Sequence, residues 1–378
     1  MARDTTDDAN EGDGDGGSLL HRRAYLGLAG AAVAATAGVT TSGRTRAETR
    51  VNIAAAGADT TGATPVNDVL LDIFDDDVEV YFPPGTYRLD PVTLSGTNWS
   101  LVGEDATLLV PAYTDREWLS LDGENWTVEG FTIDLSAEGA APSNYLRGSG
   151  WTVRDVAFEG RPDAPERRGD ATLLYPAVDA GSTAVFENVR ATDGSAAPDG
   201  ASNRGLAWFG ANSRGTMVWR DCAFAGWANG TIRGEASPGE LVVEDCLFEN
   251  TTGGVRCGGN TVVRNTTFDQ RGSVPTRRAT GTADGRGVWI NASGHTAGPV
   301  VVEGCSFLMD GPDARPAIQS GAPVDAVTVA RTRIAQAEGS AVDLDGGGST
   351  SVLDVSVTGA SPDPAISLAG RDDSRIER

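Results

Sequence analysis

Lysine is missing from this sequence: all 30 basic residues are arginine, and 53 acidic residues give a formal net charge of −23. General nucleic-acid binding requires a basic face, so this charge argues against nucleic acid as a partner. A dense carboxylate surface holds water and cations in molar salt, and salt at about 1 M screens charges beyond about 3 Å. The acidity is therefore interpreted as adaptation to high salt rather than as the sign of a particular partner.

Long apolar runs are also scarce. The stretch at residues 26–39 is too short and too rich in alanine and glycine for a membrane span. It follows H-R-R-A-Y-L at residues 21–26, which resembles a twin-arginine export signal, and the lysine-free composition resembles that of haloarchaeal proteins. We expect residues 1–37 to be a signal segment and residues 38–50 a linker. The protein is then secreted or held at the cell surface without stable membrane insertion; an uncleaved signal that acts as an anchor is the alternative.

Asparagine sequons are a second feature that export would make relevant. In an exported protein an N-x-S/T sequon is a candidate glycan site, whereas otherwise its residues are ordinary turn and strand formers. The sequence leaves both interpretations open for each of the six sequons, at Asn98, Asn125, Asn229, Asn250, Asn265 and Asn291.

A repeat with two strands per unit fills the chain from about residue 95 onward. One strand alternates apolar and polar residues, as in V-E-G-F-T-I at 128–133 and V-V-E-D-C-L-F at 242–248, which indicates one buried face. Apolar anchors of a second, short strand recur every 23 to 33 residues, at Leu119, Leu146, Val178, Leu206, Ile232, Val255, Val288, Ile318, Val342 and Ile366. A short minimum repeat with added loops is typical of a solenoid. The pattern predicts an all-β, single-stranded right-handed parallel β-helix of about ten rungs over residues 96–378.

The few cysteines and a tryptophan column are predicted to lie in the core of this solenoid. Three cysteines share one slot of the repeat and the fourth takes an inward position of the short strand, so all four act as small hydrophobic residues: Cys222, Cys246, Cys257 and Cys305. Two of them, Cys222 and Cys246, lie one rung apart, which makes a disulfide geometrically conceivable. Three tryptophans begin successive rungs and are interpreted as packing residues: Trp99, Trp126 and Trp151.

Residues 52–89 carry a family resemblance. An amphipathic stretch at residues 66–74 leads into V-Y-F-P-P-G-T-Y at 80–87. This segment resembles the N-terminal cap of the pectin-lyase (pectate-lyase-like) superfamily, which implies a short capping helix within residues 51–95 over the open end of the β-helix. The N-T-D motif of polygalacturonases is absent, and V-W-I-N ending at Asn291 replaces the V-W-I-D-H run of pectate lyases. No catalytic role is therefore carried over from either enzyme family.

The repeat alignment also predicts which side chains of the short strand face outward. The predicted column is Ser120, Arg147, Asp179, Ala207, Arg233, Arg256, Trp289, Gln319, Asp343 and Ser367, and a parallel column two residues on includes Phe209, Glu235, Asn291 and Asp345. Adjacent rungs are about 4.8 Å apart, so neighbouring entries of a column nearly touch. Stacked guanidiniums repel unless an anion lies between them, which makes Arg233 and Arg256 unusual neighbours.

This column suggests a polysaccharide as partner. Guanidiniums bind carboxylate or sulfate, and an exposed indole offers a flat face to a sugar. We expect substrate-binding residues Arg233, Arg256, Trp289, Arg286 and Asn291, with loops at 159–176, 192–204 and 269–286 as walls. If the strip is catalytic, Glu235 or Asp179 is the acid or base and Arg256 neutralises a uronate or acts as base.

Two function classes follow from the sequence. The first is a secreted polysaccharide lyase or glycoside hydrolase that acts on an acidic polysaccharide, and the second is a non-catalytic surface or adhesion protein. No metal or other cofactor is expected, because the acidic pair Asp343 and Asp345 provides too few oxygens for Ca²⁺, which needs six to eight.

Overall fold

Each turn of the chain visits three parallel strand ladders in a fixed order, and the ladders form a right-handed parallel β-helix. The structure, a computed structural model, describes residues 49–114, 117–162, 172–196, 200–291, 294–321, 323–359, 365–368 and 373–377. The expected signal segment at 1–37 lies outside the described residues, as does the linker up to residue 48. Every ladder pairing is parallel, as the repeat predicted.

The first ladder holds the strands with which each coil begins, and the second ladder follows it after a tight turn. Four long strands run through both ladders: Ser100–Leu109, Thr127–Asp134, Ala326–Gln336 and Ser349–Thr358. The other strands of the first ladder are Thr49–Asn52, Val78–Phe82, Thr152–Arg154, Thr183–Glu187, Thr216–Arg220, Glu240–Glu244, Thr261–Arg264, Pro299–Glu303 and Asp373–Glu377. Those of the second are Thr61–Pro65, Gly85–Arg88, Ala157–Glu159, Arg190–Ala191, Ala223–Ala225, Leu247–Glu249, Thr267–Asp269 and Ser306–Met309.

The third ladder is a separate sheet of short strands and corresponds to the second strand of the sequence repeat. Its eleven strands are Val92–Thr97, Glu117–Glu124, Ser143–Leu146, Thr172–Pro176, Gly205–Trp208, Ile232–Arg233, Val255–Cys257, Val288–Ile290, Ile318–Ser320, Val342–Leu344 and Ile366–Ser367. Two loop strands, Ala201–Ser202 and Thr276–Arg277, pair with each other outside the ladders.

Left-handed backbone conformations form a column at the turn between the first and second ladders. Such a conformation is unfavourable for most side chains but tolerated by Asp, Asn and Gly. The column runs through Asp155, Asn188, Asp221, Asp245, Asn265, Gly304, Arg331 and Asp354. Only Arg331, with φ of 48°, departs from the residue types that the turn favours.

Stacked side chains of the same kind fill the core. Trp126 lies between Trp99 and Trp151, with ring centroids 5.3 and 5.0 Å away and the planes within 6° of parallel. All three are buried, which confirms their interpretation as packing residues. The four cysteines are buried free thiols, also as predicted, and Cys222 and Cys246 occupy matching positions of adjacent coils.

A single α-helix, α1 (Asn67–Ile73), occurs among the described residues and lies inside the stretch predicted to be amphipathic. Its Leu70 is buried, and Phe74, directly after the helix, packs edge-on against Trp99 at 5.3 Å. Parallel pairing already begins at Thr49, so the segment 51–95, expected as a cap, carries ladder strands besides the helix. Within the described ranges no helix is long and apolar enough to cross a membrane.

Candidate binding strip on the third ladder

The outward positions of the third ladder form a line of aromatic and arginine side chains. Strand register aligns Tyr145 with Tyr175, Trp208 with Arg233, and Arg256 with Trp289, and it joins these pairs into one column. We call this column the strip; it consists of Tyr145, Tyr175, Trp208, Arg233, Arg256, Trp289 and Gln319. Both sequence neighbours of each member are buried, because successive side chains of a strand point to opposite faces.

The predicted column is correct from Arg233 onward. Before it, Ser120 has the register of the column but is buried, and the three positions between Ser120 and Arg233 are wrong. Tyr145, Tyr175 and Trp208 take the outward positions that the sequence assigned to Arg147, Asp179 and Ala207. In strands Thr172–Pro176 and Gly205–Trp208 three consecutive residues are buried, so the alternation that reveals a face is lost there. In strand Ser143–Leu146 the buried residue in register with Leu174 is the polar Asn144, so the apolar anchor does not mark the register. Phe209, expected to face outward, is buried as well.

Asp179 consequently lies apart from the arginines. It follows the end of strand Thr172–Pro176 in an exposed loop, where its Oδ2 accepts a hydrogen bond of 2.8 Å from the hydroxyl of Ser149. The loop expected at residues 159–176 is also corrected, because its C-terminal end is this strand of the third ladder. Asp179 is therefore not a neighbour of Arg233, and the strip does not contain it.

Glu235 lies at the centre of the cationic part of the strip. Its Oε1 accepts a hydrogen bond from Nη2 of Arg233 at 3.1 Å and lies 3.2 Å from Nε of Arg256. Only 5% of Glu235 is exposed, and its second oxygen, Oε2, is buried without a hydrogen-bond partner. One carboxylate thus bridges two guanidiniums of adjacent coils, which is the partner that their stacking requires.

Trp289 is enclosed by two further cationic contacts. The guanidinium carbon of Arg256 lies 4.4 Å from the centroid of the indole, and that of Arg286 lies 4.6 Å from it. Arg286 is held by Gln319, whose Oε1 accepts a 2.8 Å hydrogen bond from Nε, and by Asp284 at 3.4 Å. Because guanidiniums already contact its ring, Trp289 is part of the arginine cluster rather than an open platform.

Burial and the repulsion of neighbouring arginines lower the pKa of Arg256 and Arg286. Burial lowers the pKa of Arg256 below its ordinary value; Glu235 opposes this effect, and the charges of Arg233, Arg277 and Arg286 add to it. Burial likewise lowers the pKa of Arg286, against the attraction of Asp284. The site consequently favours any additional negative charge that reaches it.

Loops flank the strip on both sides. On the side where the chain enters the third ladder, strands Ala201–Ser202 and Thr276–Arg277 join the two insertions predicted as walls. On the opposite side, the backbone N–H of His295 donates a hydrogen bond to the carbonyl of Glu235, and Gly294 lies against the same residue. Asn291, expected to bind substrate, is 7% exposed, and its backbone N–H bonds to the carbonyl of Cys257.

The aromatic part of the strip was missed by the sequence alignment. Tyr145 and Tyr175 stack with centroids 5.0 Å apart and planes 14° from parallel, and Arg147 lies over Tyr145 at 4.6 Å. Trp208 crosses Tyr175 at 76° with centroids 6.0 Å apart. The signal that was available is the recurrence of aromatic residues at intervals of 30 and 33, which fits one rung.

In the described ranges, no group of three or more His, Cys, Asp or Glu side chains is placed to hold a metal ion. Asp343 is the register partner of Gln319 in the next strand of the third ladder and extends the column toward the C-terminus. Asp345 follows two residues later on the same face. The strip can bind an anionic, partly apolar ligand, and Glu235 is the buried carboxylate that bridges two of its arginines.

Comparison with known proteins gives a fold relationship. No family model and no curated protein matches the sequence. The surface protein and adhesin PfbA of Streptococcus pneumoniae is similar in structure, with a TM-score of 0.52 and 14% sequence identity; the match covers 87% of this chain and 100% of that chain. A second PfbA structure gives a TM-score of 0.51 and 13% identity, and that match covers 82% of this chain and 90% of that chain. A family 28 exopolygalacturonase of Yersinia enterocolitica gives a TM-score of 0.44 and 14% identity, and the match covers 87% of this chain and 78% of that chain. The chain has the right-handed parallel β-helix fold of the pectin-lyase-like proteins.

Proposed function

We propose that the strip binds an anionic polysaccharide outside the cell, with Arg233, Arg256 and Arg286 receiving its carboxylate or sulfate groups. The observation that carries this proposal is the clustering of three mostly buried guanidiniums on one outer face of a chain whose net charge is −23. The net negative charge of the chain repels such a ligand on average, whereas the cluster attracts it.

The arginines suit this ligand in geometry as well as in charge. A guanidinium offers a planar fork that matches carboxylate and sulfate, and its charge-assisted hydrogen bonds are about twice as strong as neutral ones. Salt at about 1 M screens charges beyond about 3 Å, so in a high-salt environment only direct contacts of this kind keep their strength. An extended polysaccharide along the helix axis meets one strip residue about every 4.8 Å.

Cleavage of the bound polysaccharide is the second candidate. It is favoured by Glu235, whose Oε2 lies buried without a partner beside Arg256, an arrangement in which a carboxylate serves as acid or base and a guanidinium stabilises negative charge. In the non-catalytic alternative, a surface or adhesion protein, Glu235 only neutralises the two arginines. The binding proposal is common to both, and turnover distinguishes them.

The test uses a panel of uronate and sulfated polysaccharides in molar salt. We expect at least one to bind, and Arg256→Gln to weaken binding by about tenfold, the equivalent of one charged hydrogen bond. Arg333→Gln is the matched control, since Arg333 is an exposed arginine on the second ladder, away from the strip. Failure of every polysaccharide to bind would refute the proposal.

Turnover is measured on the same panel as new unsaturated or reducing ends. If the protein cleaves its ligand, Glu235→Gln should abolish product formation while binding persists. If no product forms from a polysaccharide that binds, the protein is a non-catalytic binder.

A further inference from the structure

Trp208 is the most accessible ring of the strip. It is 36% exposed, whereas Tyr145, Tyr175 and Trp289 are only partly exposed. The faces of the two tyrosines stack on each other, and the indole of Trp289 is contacted by two guanidiniums. Trp208 instead crosses Tyr175 at 76°, so its ring is oriented differently from the stacked tyrosines.

Gly210 explains how Trp208 takes this orientation. The two residues lie on the same outer face of the chain, two positions apart. A Cβ at Gly210 would come within 3.0 Å of Cη2, 3.2 Å of Cζ2 and 3.7 Å of Cζ3 of the indole. The six-membered part of the indole therefore lies down over Gly210, and a side chain at that position would force it away.

The next coil places charged groups beside this ring. Arg233 is the register partner of Trp208, and Glu235 follows Arg233 by the same two residues that separate Gly210 from Trp208. Neighbouring coils are about 4.8 Å apart. A sugar ring on the indole thus has the partly exposed guanidinium of Arg233 about one coil spacing away, next to its exocyclic groups.

We propose that Trp208, laid over Gly210, is the stacking platform for one pyranose ring of the polysaccharide, and that Arg233 receives an acidic group of that sugar or the next. The inference rests on the proposed function and narrows its ligand: the polysaccharide carries an apolar ring face next to a carboxylate or sulfate. An indole face suits the first feature, because it buries a large apolar area without requiring a hydrogen bond from the sugar.

Two substitutions test the platform in the full chain, using the polysaccharide that binds best in the panel. Trp208→Ala removes the ring, and we expect about tenfold weaker binding, the equivalent of roughly 1.4 kcal/mol. Gly210→Val changes none of the residues proposed to contact the ligand, but its side chain displaces the ring of Trp208, and we expect a loss of the same order. Trp208→Phe should recover part of the affinity.

Gly321→Val is the matched control. Gly321 occupies the equivalent position two residues after Gln319, and a Cβ there would meet nothing within 4 Å. Its affinity should equal that of the unsubstituted chain. If Trp208→Ala and Gly210→Val keep full affinity while Arg256→Gln loses it, the platform is refuted and the proposed function stands. If no polysaccharide binds, the platform and the proposed function are both refuted. Thermal unfolding of each variant checks that the fold is retained.

Discussion

Arg220 forms an ion pair with Glu187 of the preceding coil, with Nη2 3.1 Å from Oε1. The pair belongs to a column in which acidic and basic residues alternate without interruption along the first ladder, just before the turn: Glu129, Arg154, Glu187, Arg220, Glu244, Arg264 and Glu303. Each charge between the two ends of the column thus faces an opposite charge in both neighbouring coils. Directly opposite charges stabilise a sheet and like charges destabilise it, so this column favours the observed register of the coils.

Reversal of one charge in this column is predicted to destabilise the fold. Arg220→Glu would place three carboxylates in succession, and we expect the free energy of unfolding to fall by about 1 to 2 kcal/mol at low salt. The loss should shrink in molar salt, which screens these partly exposed groups. Denaturant unfolding at two salt concentrations measures both effects. A loss that does not depend on salt would show that packing, rather than charge, is what Arg220 contributes.

Arg331 is predicted to be an unfavourable residue in the turn column. Its φ of 48° is costly for a long side chain, whereas Asp, Asn and Gly occupy the equivalent turns of other coils. We expect Arg331→Asn to raise the free energy of unfolding by about 0.5 to 1 kcal/mol in molar salt, where the exposed ion pair with Glu303 contributes little. Asp245→Ala, at the same turn of another coil, should have the opposite effect. Equal stabilities of all three proteins would contradict this account.

Buried thiols predict a loss of stability at alkaline pH. Burial raises the pKa of Cys257 from an ordinary value of 9.0 to about 12, and that of Cys305 likewise. Because the folded pKa lies above the unfolded one, the stabilising contribution is complete below pH 9 and is lost as pH rises toward 12, by at most about 1.4 kcal/mol per pH unit for each thiol.

Cys257→Val isolates this effect. The valine keeps the position apolar but cannot ionise, so the variant should lose less stability than the unsubstituted chain between about pH 9 and about pH 11. Denaturant unfolding across that range measures the difference. Parallel pH profiles for the two proteins would contradict the assignment of the slope to this thiol. The four free thiols should also resist thiol reagents until the chain unfolds.

The fold and the arginine cluster could be predicted because strands from Ile232 onward keep a strict alternation. Each has one apolar anchor followed by one outward residue, which aligns Arg233, Arg256 and Trp289 without ambiguity. In strand Gly205–Trp208 both Leu206 and Ala207 are buried, and the larger residue was taken as the anchor. A slip of one residue exchanges the two faces of a strand, so the sequence alignment places Ala207 rather than Trp208 in the outward column.

Two other features of the structure could not be predicted from the sequence of a single repeat. The alternating charges of the first ladder become visible only when the coils are stacked, because Arg220 and Glu187 are 33 positions apart in the chain. The contact between Gly210 and the indole depends on a side-chain orientation that residue pattern does not specify. The column of turn residues, in contrast, is a local signal that stands in the sequence as a recurring Asp or Asn.

Removal of the Glu235 carboxylate is predicted to lower the stability of the fold and to raise the affinity of the two arginines for anions. Glu235→Gln leaves the largely buried guanidiniums of Arg233 and Arg256 without a compensating charge, and we expect the free energy of unfolding to fall by about 3 kcal/mol. Sulfate should bind in place of the carboxylate and restore part of that loss, because a ligand that binds only the folded state stabilises it.

Thermal unfolding in sulfate and in chloride at equal ionic strength measures this recovery. Sulfate stabilises folded proteins in general, so the informative quantity is the additional gain of Glu235→Gln over the unsubstituted chain. Glu187→Gln, which removes a carboxylate from the charge column outside the strip, should show no additional gain. An equal response of all three proteins would mean that the two arginines do not form an anion site once Glu235 is neutral, and it would weaken the proposal that they receive the acidic groups of a polysaccharide.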